Sequence, residues 1–432
     1  MKDFGRSDDP RVQAQLDRLA ALSVPQGRLG LETIRALLER LGNPQQDLPP
    51  VFHVGGTNGK GSTCAYLRAI LEADGLVVHT ATKPHLVRYN ERIRVAGNLI
   101  SDELLASLLQ EVLDVGEYLA PSFFEVTTAA TFLAFARIPA DACVIEVGLG
   151  GRFDATNVLE NPAACGIATL GIDHEAFLLV PEAGTPELPL ARIAFEKAGI
   201  ARAGTPLVTM SYPREAAEQI ELAAKRVGAP LFMRSRDWDA SANGAIRYRD
   251  SQGELSLPLP NMPGLHQAEN AALAVAILRH QSQVQVSIEA LAEGIRAARW
   301  PARLQLLGHG PLTDLAQGHE VWLDGGHNPD AGLAIGRHFA ATGKLHLIIG
   351  MLANRYPEAI LGPLEGKLAS TTAVPIEGSE CHTAEAYGDK ARWAGSVDDA
   401  LRALPHDGLP VLIAGSLYLA GVVLKLNEEM PD

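Results

Sequence analysis

A short apolar run that leads into a glycine-rich turn and then into a helix-like segment constrains the fold most strongly. Residues 51–75 read VFHVGGTNGKGSTCAYLRAILEADG. VFHV is typical of a buried strand, and Leu67, Ile70 and Leu71 repeat with the period of a helix. Backbone N–H groups in such a turn, with a helix N-terminus behind them, form an anion site. The stretch predicts a phosphate-binding loop, the P-loop, with ATP as its ligand.

The P-loop departs from the strict pattern G-x-x-x-x-G-K-[ST]. Val54 occupies the first glycine position, and Gly61 stands between Lys60 and Ser62. A tight turn without a ligand is the alternative, but the strand, the turn, the lysine, the hydroxyl and the helix all occur in order. We therefore expect phosphate contacts from the whole loop: Gly56, Thr57, Asn58, Gly59, Lys60, Gly61 and Ser62.

Apolar runs of strand length alternate with longer segments of helical period. Runs at 143–147, 166–170 and 206–210 indicate further buried strands, and 101–119 indicates a helix with Ser101 as its N-cap. This order predicts an α/β fold, a doubly wound and mostly parallel sheet, with an antiparallel hairpin at 232–260. Four more apolar runs follow Pro301. We expect a P-loop ATP-binding domain over 1–300 and a smaller Rossmann-like α/β domain over 301–432.

The charge and cysteine content exclude several classes of protein. The 37 basic and 51 acidic residues give a net charge of −14, which argues against a nucleic-acid partner. The four cysteines form no C-x-x-C pair and are too few for a disulfide framework. No window approaches the length of an apolar membrane span, so we expect no membrane partner and a cytoplasmic protein.

Several further motifs follow the P-loop in a fixed order, and together they resemble one family. With GTNGKGS in the P-loop, the chain resembles the folylpolyglutamate and dihydrofolate synthases of the Mur ligase superfamily. The resemblance implies a monomeric ATP-dependent amide ligase that adds L-glutamate to dihydropteroate or folate through an acyl phosphate. The domain over 1–300 would then bind folate as well as ATP, and the domain over 301–432 would bind glutamate. The matching segments are KPHLVRYNERIRVAG (83–97), FFEVTTAATFLAF (123–135), EVGLGGRFDATN (146–157), IDHEAF (172–177), EKAGI (196–200), WPARLQ (300–305) and DGGHNP (324–329).

The resemblance also implies roles for individual residues. Lys60, His174 and Lys197 would be catalytic, and Lys197 would be carbamylated. The implied Mg²⁺ ligands are Ser62, Glu146, His174 and Lys197. ATP would lie between the domains and contact Asn270, Arg303, Asp324 and His327. The pterin-bearing acceptor would contact Phe123, Phe124, Glu125, Arg152, Phe153 and Asp154, although core packing explains Phe123 and Phe124 equally well.

Departures from the family pattern leave alternatives open. Lys83 stands where the family has a serine that binds magnesium, and an ammonium cannot coordinate a cation. The loop between His174 and Lys197 is longer than usual, and the segments GMLANRYPEA and GSLYLAGVV of the second domain differ from the family pattern. A ligase with another acceptor or amine, and a non-catalytic ATP- or folate-binding homologue, therefore remain as alternatives.

Overall fold

The computed structural model describes residues 5–22 and 30–431, in two compact units. The first unit comprises the chain up to Asn261 together with Ala268–Ala298. The second comprises Met262–Gln267 together with Arg299–Asp432. Each unit is α/β, as the sequence predicts.

The first unit is built on an eight-stranded sheet in the order β4-β3-β2-β5-β1-β6-β7-β8. Strand β1 pairs in parallel with β5 and β6 at its centre. All residues of β1, β5 and β6 are buried, as expected where helices cover both faces of a parallel sheet. The strands are β1 (Val51–Gly55), β2 (Val78–Ala81), β3 (Ile93–Val95), β4 (Asn98–Leu99), β5 (Ala142–Glu146), β6 (Ala164–Ile167), β7 (Leu207–Thr209) and β8 (Leu231–Met233).

Several helices of this unit begin at a side chain that accepts a backbone hydrogen bond from the first turn. Ser101 accepts a hydrogen bond from Leu104 N at 3.2 Å, so the predicted N-cap is confirmed. The helices are α1 (Pro10–Ala21), α2 (Glu32–Arg40), α3 (Lys60–Ala73), α4 (Asp102–Gly116), α5 (Phe123–Arg137), α6 (Glu175–Leu178), α7 (Pro189–Ala198), α8 (Arg214–Val227), α10 (Ile288–Ala297) and, from Ala268 onward, α9 (Leu265–Arg279).

Two strand predictions differ in detail from the structure. The strand predicted at 166–170 is β6, Ala164–Ile167, because Thr169 leaves the sheet and forms an isolated bridge with Asn58. The hairpin predicted at 232–260 is a three-stranded antiparallel sheet of β9 (Trp238–Ala242), β10 (Ile246–Asp250) and β11 (Gly253–Leu257), while β8 joins the main sheet.

The second unit contains a six-stranded sheet in the order β12-β13-β17-β14-β15-β16. Apart from the antiparallel β12, its strands pair in parallel. The strands are β12 (Gln305–Leu306), β13 (Val321–Asp324), β14 (Leu345–Ile349), β15 (Leu368–Ala373), β16 (Arg392–Trp393) and β17 (Val411–Ala414), and the described helices are α11 (Pro311–Asp314), α12 (Pro329–His338), α13 (Glu358–Leu361), α14 (Val397–Arg402) and α15 (Leu417–Leu426). Across 5–22 and 30–431, no helix is long and apolar enough to cross a membrane.

Candidate active site

The P-loop connects the carboxyl end of β1 to the first turn of α3, as predicted. Its backbone is held by the segment after β6, since Thr57 N donates to Thr169 O at 2.8 Å and Thr169 Oγ1 donates to Asn58 O at 2.9 Å. Lys60 Nζ donates to Thr57 O at 3.0 Å. Ser62 lies buried in the first turn of α3. The loop is therefore preorganised, as an anion site requires.

Two glycines of the P-loop occupy positions where a side chain would both clash and strain the backbone. Gly59 has φ +83°, and a Cβ there would lie 2.4 Å from Asn270 Oδ1. Gly56 has φ +142°, and a Cβ there would lie 2.9 Å from the Cβ of Ala168. The buried side chain of Asn270, on α9, thus lies directly beside the loop. The nucleotide contact of Asn270 stays a prediction.

Lys197, near the end of α7, reaches the same loop. Its Nζ donates a 2.8 Å hydrogen bond to Gly56 O, and its side chain is only 4% exposed. Burial lowers the pKa of this amine to about 7, and repulsion from Lys60 acts in the same direction, while Asp173, Asp154 and Glu196 oppose it. A lysine with this pKa supplies the neutral amine that carbamylation requires.

Close backbone approach fixes the position of α7. A Cβ on Gly151 would lie 2.8 Å from Glu196 O, and one on Gly199 would lie 2.5 Å from the Cα of Arg152. Arg152 also forms ion pairs with Glu196 at 2.8 Å and with Glu182 at 2.6 Å. The guanidinium predicted to face the acceptor is thus bound by two carboxylates, so it holds α7 against the loop after β5.

Glu146 ends β5 beside β1, and its side chain is buried. Its Oε2 accepts a hydrogen bond from Lys83 N at 2.9 Å. The Lys83 ammonium lies 3.5 Å from Glu146 O and 3.9 Å from the centre of the Phe124 ring. Burial lowers the Lys83 pKa to about 8, while the charges of Asp154 and Glu146 oppose this shift. Lys83 therefore belongs to this site.

His174 lies just before α6 in a left-handed conformation, with φ +54°. Asp173 Oδ1 accepts a hydrogen bond from His174 N at 2.7 Å, and the Asp173 side chain is buried. Because its charge acts on Lys197, Asp173 belongs to the site as well. We did not predict Asp173 from the sequence, although the DH pair in IDHEAF contained the signal.

The predicted acceptor residues at the start of α5 have partly structural roles. Ser122 and Glu125 form a capping box, in which Glu125 Oε2 accepts from Ser122 N at 2.8 Å and Ser122 Oγ accepts from Glu125 N at 3.2 Å. Phe123 and Phe124 pack against the core with part of each ring exposed. A partly exposed aromatic wall thus remains at this end of α5.

Asp154 organises the loop after β5. One carboxylate oxygen accepts from the backbone N–H of Gly148 and Leu149, at 3.0 and 2.8 Å. The other accepts from the backbone N–H and the hydroxyl of Thr156. Buried His53 contacts the same hydroxyl at 2.8 Å, and burial lowers the pKa of His53 to about 3, so its ring is neutral. Phe153 lies beside Asp154, 4.2 Å from the Arg152 guanidinium.

Three predicted nucleotide contacts lie together in the second unit. Asp324, at the end of β13, accepts from Leu304 N at 2.8 Å and from Gly326 N at 2.6 Å. Burial raises the pKa of this carboxyl, although the charge of Arg303 and these two bonds oppose the shift. His327 Nδ1 lies 3.0 Å from Gly325 O. Arg303, Asp324 and His327 thus occupy the carboxyl end of β13, the usual ligand edge of a parallel sheet.

The donor atoms of the first unit fit a hard divalent cation. Glu146 and Asp173 offer carboxylate oxygens and Ser62 a hydroxyl, which are the ligands Mg²⁺ prefers, completed by phosphates and water. Among the described residues, one group of three His, Cys, Asp or Glu side chains has its ligand atoms within 4.8 Å of one another. It consists of His319, His346 and Asp407 of the second unit. A cation beside the P-loop would therefore depend on phosphate oxygens as well.

The second-unit trio is explained by its own hydrogen bonds. His319 contacts Leu409 O through Nδ1 at 2.6 Å and Pro405 O through Nε2 at 2.9 Å. His346 Nδ1 lies 2.7 Å from Ser370 Oγ, and its Nε2 lies 3.2 Å from Asp407. Both histidines thus stabilise the turn that precedes β17, through contacts with Pro405, Asp407 and Leu409.

Named relatives cover nearly the whole chain. The dihydrofolate synthase/folylpolyglutamate synthase of Bacillus subtilis is 32% identical over 423 residues, covering 92% of this chain and 94% of that protein. The protein of the same name from Escherichia coli K12 is 32% identical over 411 residues, covering 93% and 92%. No family model matches the chain.

Solved structures agree with these relatives. E. coli FolC in complex with DHPP and ADP has a TM-score of 0.86 and 30% identity, covering 98% of each chain. The Yersinia pestis bifunctional folylpolyglutamate synthase/dihydrofolate synthase with Mn, AMPPNP and L-glutamate bound has a TM-score of 0.82 and 31% identity, covering 98% of this chain and 99% of that one. The chain belongs to the dihydrofolate synthase/folylpolyglutamate synthase family.

Proposed function

We propose that the chain is an ATP-dependent ligase that joins L-glutamate to dihydropteroate, to folates, or to both, through an acyl phosphate. Beside family membership, one observation carries the proposal: Lys60 and Lys197 both donate to carbonyls of a P-loop in which two glycines admit no side chain. That arrangement places the Lys60 amine, the side chain of Lys197 and a row of N–H groups where the phosphates of ATP would bind.

The first step is phosphoryl transfer. An oxygen of the acceptor carboxylate attacks the γ-phosphorus, the bond to the bridging oxygen breaks, and ADP leaves. The P-loop and Lys60 would orient the phosphates. Ser62, Glu146, His174 and carbamylated Lys197 would hold Mg²⁺, which neutralises phosphate charge. Carbamylation adds CO₂ to the neutral Lys197 amine with loss of a proton, and replaces a cation by an anion.

The second step is amide formation. The amine of L-glutamate attacks the acyl carbon, phosphate leaves, and the amine releases its proton to solvent. On the acceptor side we assign ring contacts to Phe123, Phe124 and Phe153, and polar contacts to Arg152 and Asp154, with Glu125 fixing the start of α5. For the nucleotide we retain Asn270, Arg303, Asp324 and His327 as contacts. The second unit would bind L-glutamate.

An assay of phosphate release and glutamylated product tests the proposal. Purified protein is given ATP and Mg²⁺, with and without dihydropteroate, tetrahydrofolate and L-glutamate. We expect release to require an acceptor and L-glutamate. Phosphate release that is independent of all three compounds would contradict the proposal. Phosphate release that requires an acceptor but not L-glutamate would favour a ligase with another amine.

We also propose that the enzyme acts as a monomer in the cytoplasm. The four cysteines, too few for a disulfide framework, support a reducing compartment. Sedimentation of the purified protein, with and without ATP, would test the monomer. A single species at twice the chain mass would contradict it.

A further inference from the structure

The side chain of Lys83 is built into the candidate active site of the first unit. It follows β2, which pairs in parallel with β5. Its backbone N–H donates to the Glu146 carboxylate at 2.9 Å, and its ammonium lies 3.5 Å from Glu146 O. Both ends of the residue are therefore fixed relative to the end of β5.

An aromatic ring fixes the ammonium from another side. Lys83 Nζ lies 3.9 Å from the centre of the Phe124 ring, well within the range of a cation–π interaction. The ring itself fills the space above Gly148, where a Cβ would lie 2.3 Å from Phe124 Cζ. The position of the Phe124 ring beside the ammonium therefore requires a glycine at 148.

The ammonium has hydrogen-bonding capacity left for a ligand. It carries three N–H donors, and one long contact to Glu146 O uses a single donor. The charges of Asp154 and Glu146 also act on the ammonium and favour its charged form. Lys83 as a whole residue is partly exposed, although its ammonium is desolvated. An anionic group of a ligand could therefore use the remaining donors.

The proposed reaction brings two anions together at this place. The acceptor carboxylate must approach the γ-phosphate to within about 3 to 3.5 Å, and the two groups repel each other. Lys83 contacts Glu146, assigned above to Mg²⁺, and Phe124, assigned above to the acceptor. It thus lies where the two substrates must meet.

We propose that Lys83 is a further catalytic residue, whose ammonium binds the acceptor carboxylate that becomes phosphorylated. One carboxylate oxygen attacks phosphorus while the other accepts a hydrogen bond from Lys83. When the amine attacks the acyl carbon, that second oxygen takes up the negative charge, which Lys83 stabilises until the C–O bond to phosphate breaks. This inference rests on the proposed function.

A comparison of two ligands tests the inference. Binding of dihydropteroate and of its carboxamide, which cannot be phosphorylated at that oxygen, is titrated against wild type and Lys83→Met. We expect Lys83→Met to weaken dihydropteroate binding by about ten- to a hundredfold, the value of a hydrogen bond to a charged group. Carboxamide binding should change far less, because the aliphatic stem and the Phe124 contact remain.

Controls separate the possible failures. Lys225→Met removes an exposed lysine of α8 and should match wild type throughout. If Lys83→Met weakens both ligands equally, the residue is structural and the inference fails. The inference also fails if only the Mg²⁺ requirement rises. If wild-type protein binds neither dihydropteroate nor tetrahydrofolate and makes no product, the proposed function itself fails.

Discussion

Lys197 Nζ donates a 2.8 Å hydrogen bond to the carbonyl oxygen of Gly56, which joins the end of α7 to the P-loop. The two residues are 141 positions apart in the chain. The contact places the Lys197 amine in a buried position near Lys60. Burial, together with electrostatic repulsion from Lys60, lowers the Lys197 pKa to about 7. The hydrogen bond thus positions the lysine, and the burial that accompanies it increases the neutral fraction of the amine near pH 7.

The Lys197 pKa predicts how carbamylation depends on pH. CO₂ adds only to the neutral amine, whose fraction rises as the pH passes through about 7. We expect a carbamate signal in carbon-13 NMR with labelled bicarbonate that grows between about pH 6 and 8. Lys197→Met should lack this signal, and Lys225→Met should keep it. A signal that persists in Lys197→Met would assign the carbamate to another amine.

The same pKa predicts a pH dependence of stability in buffer free of CO₂. The folded chain releases the Lys197 proton near pH 7, whereas an unfolded lysine releases it near 10.5. Between these values the unfolded chain binds more protons, so the free energy of unfolding rises with pH, by up to about 1.4 kcal/mol per unit from this group.

Chemical denaturation at several pH values measures that slope. Lys197→Met should lose the contribution of this group, while Lys83 contributes equally to both proteins and cancels in the difference. Identical slopes for wild type and variant would show that Lys197 is protonated in the folded state at these pH values.

Gly59 and Gly75 form a matched pair for testing the P-loop. Both have positive φ, +83° and +82°, but a Cβ at Gly59 would lie 2.4 Å from Asn270 Oδ1, whereas nothing lies within 4 Å of one at Gly75. Gly75→Ala should cost about 1 to 2 kcal/mol of stability from backbone strain alone. It should leave ATP binding unchanged.

Gly59→Ala should cost more stability and should also weaken ATP binding by about tenfold or more, because either the loop or the Asn270 side chain beside it must shift. Thermal unfolding and nucleotide titration measure the two effects. Equal ATP affinity in the two variants would mean that the fit between Gly59 and Asn270 does not position the nucleotide.

Local patterns predicted much of this site because they need few residues. The P-loop and the Ser101 cap each follow from a short stretch of chain, and β1 and α3 begin and end close to where their sequences indicate. The role of Arg152 could not be predicted in this way. Its partners Glu182 and Glu196 lie 30 and 44 positions away, and only the folded chain brings them together.

Sequence alone was also insufficient for residues whose pattern allows two interpretations. The spacing of Ser122 and Glu125 matches a capping box, but the resemblance led us to assign Glu125 to the acceptor. Lys83 was recognised as a departure from the family, yet its place above the Phe124 ring depends on how α5 packs beside β5. Side-chain partners across elements required the structure.

Asp154 offers a final prediction, because its carboxylate accepts four hydrogen bonds within its own loop. Asp154→Asn replaces one acceptor oxygen by a donor, so at least one backbone N–H loses its partner. We expect a stability loss of about 1 to 3 kcal/mol together with weaker acceptor binding. Asp141→Asn is the matched control, since Asp141 Oδ2 accepts a 2.8 Å hydrogen bond from Val77 N that an amide oxygen can also accept. If Asp154→Asn weakens acceptor binding with unchanged stability, Asp154 contacts the acceptor directly and the loop does not depend on its charge.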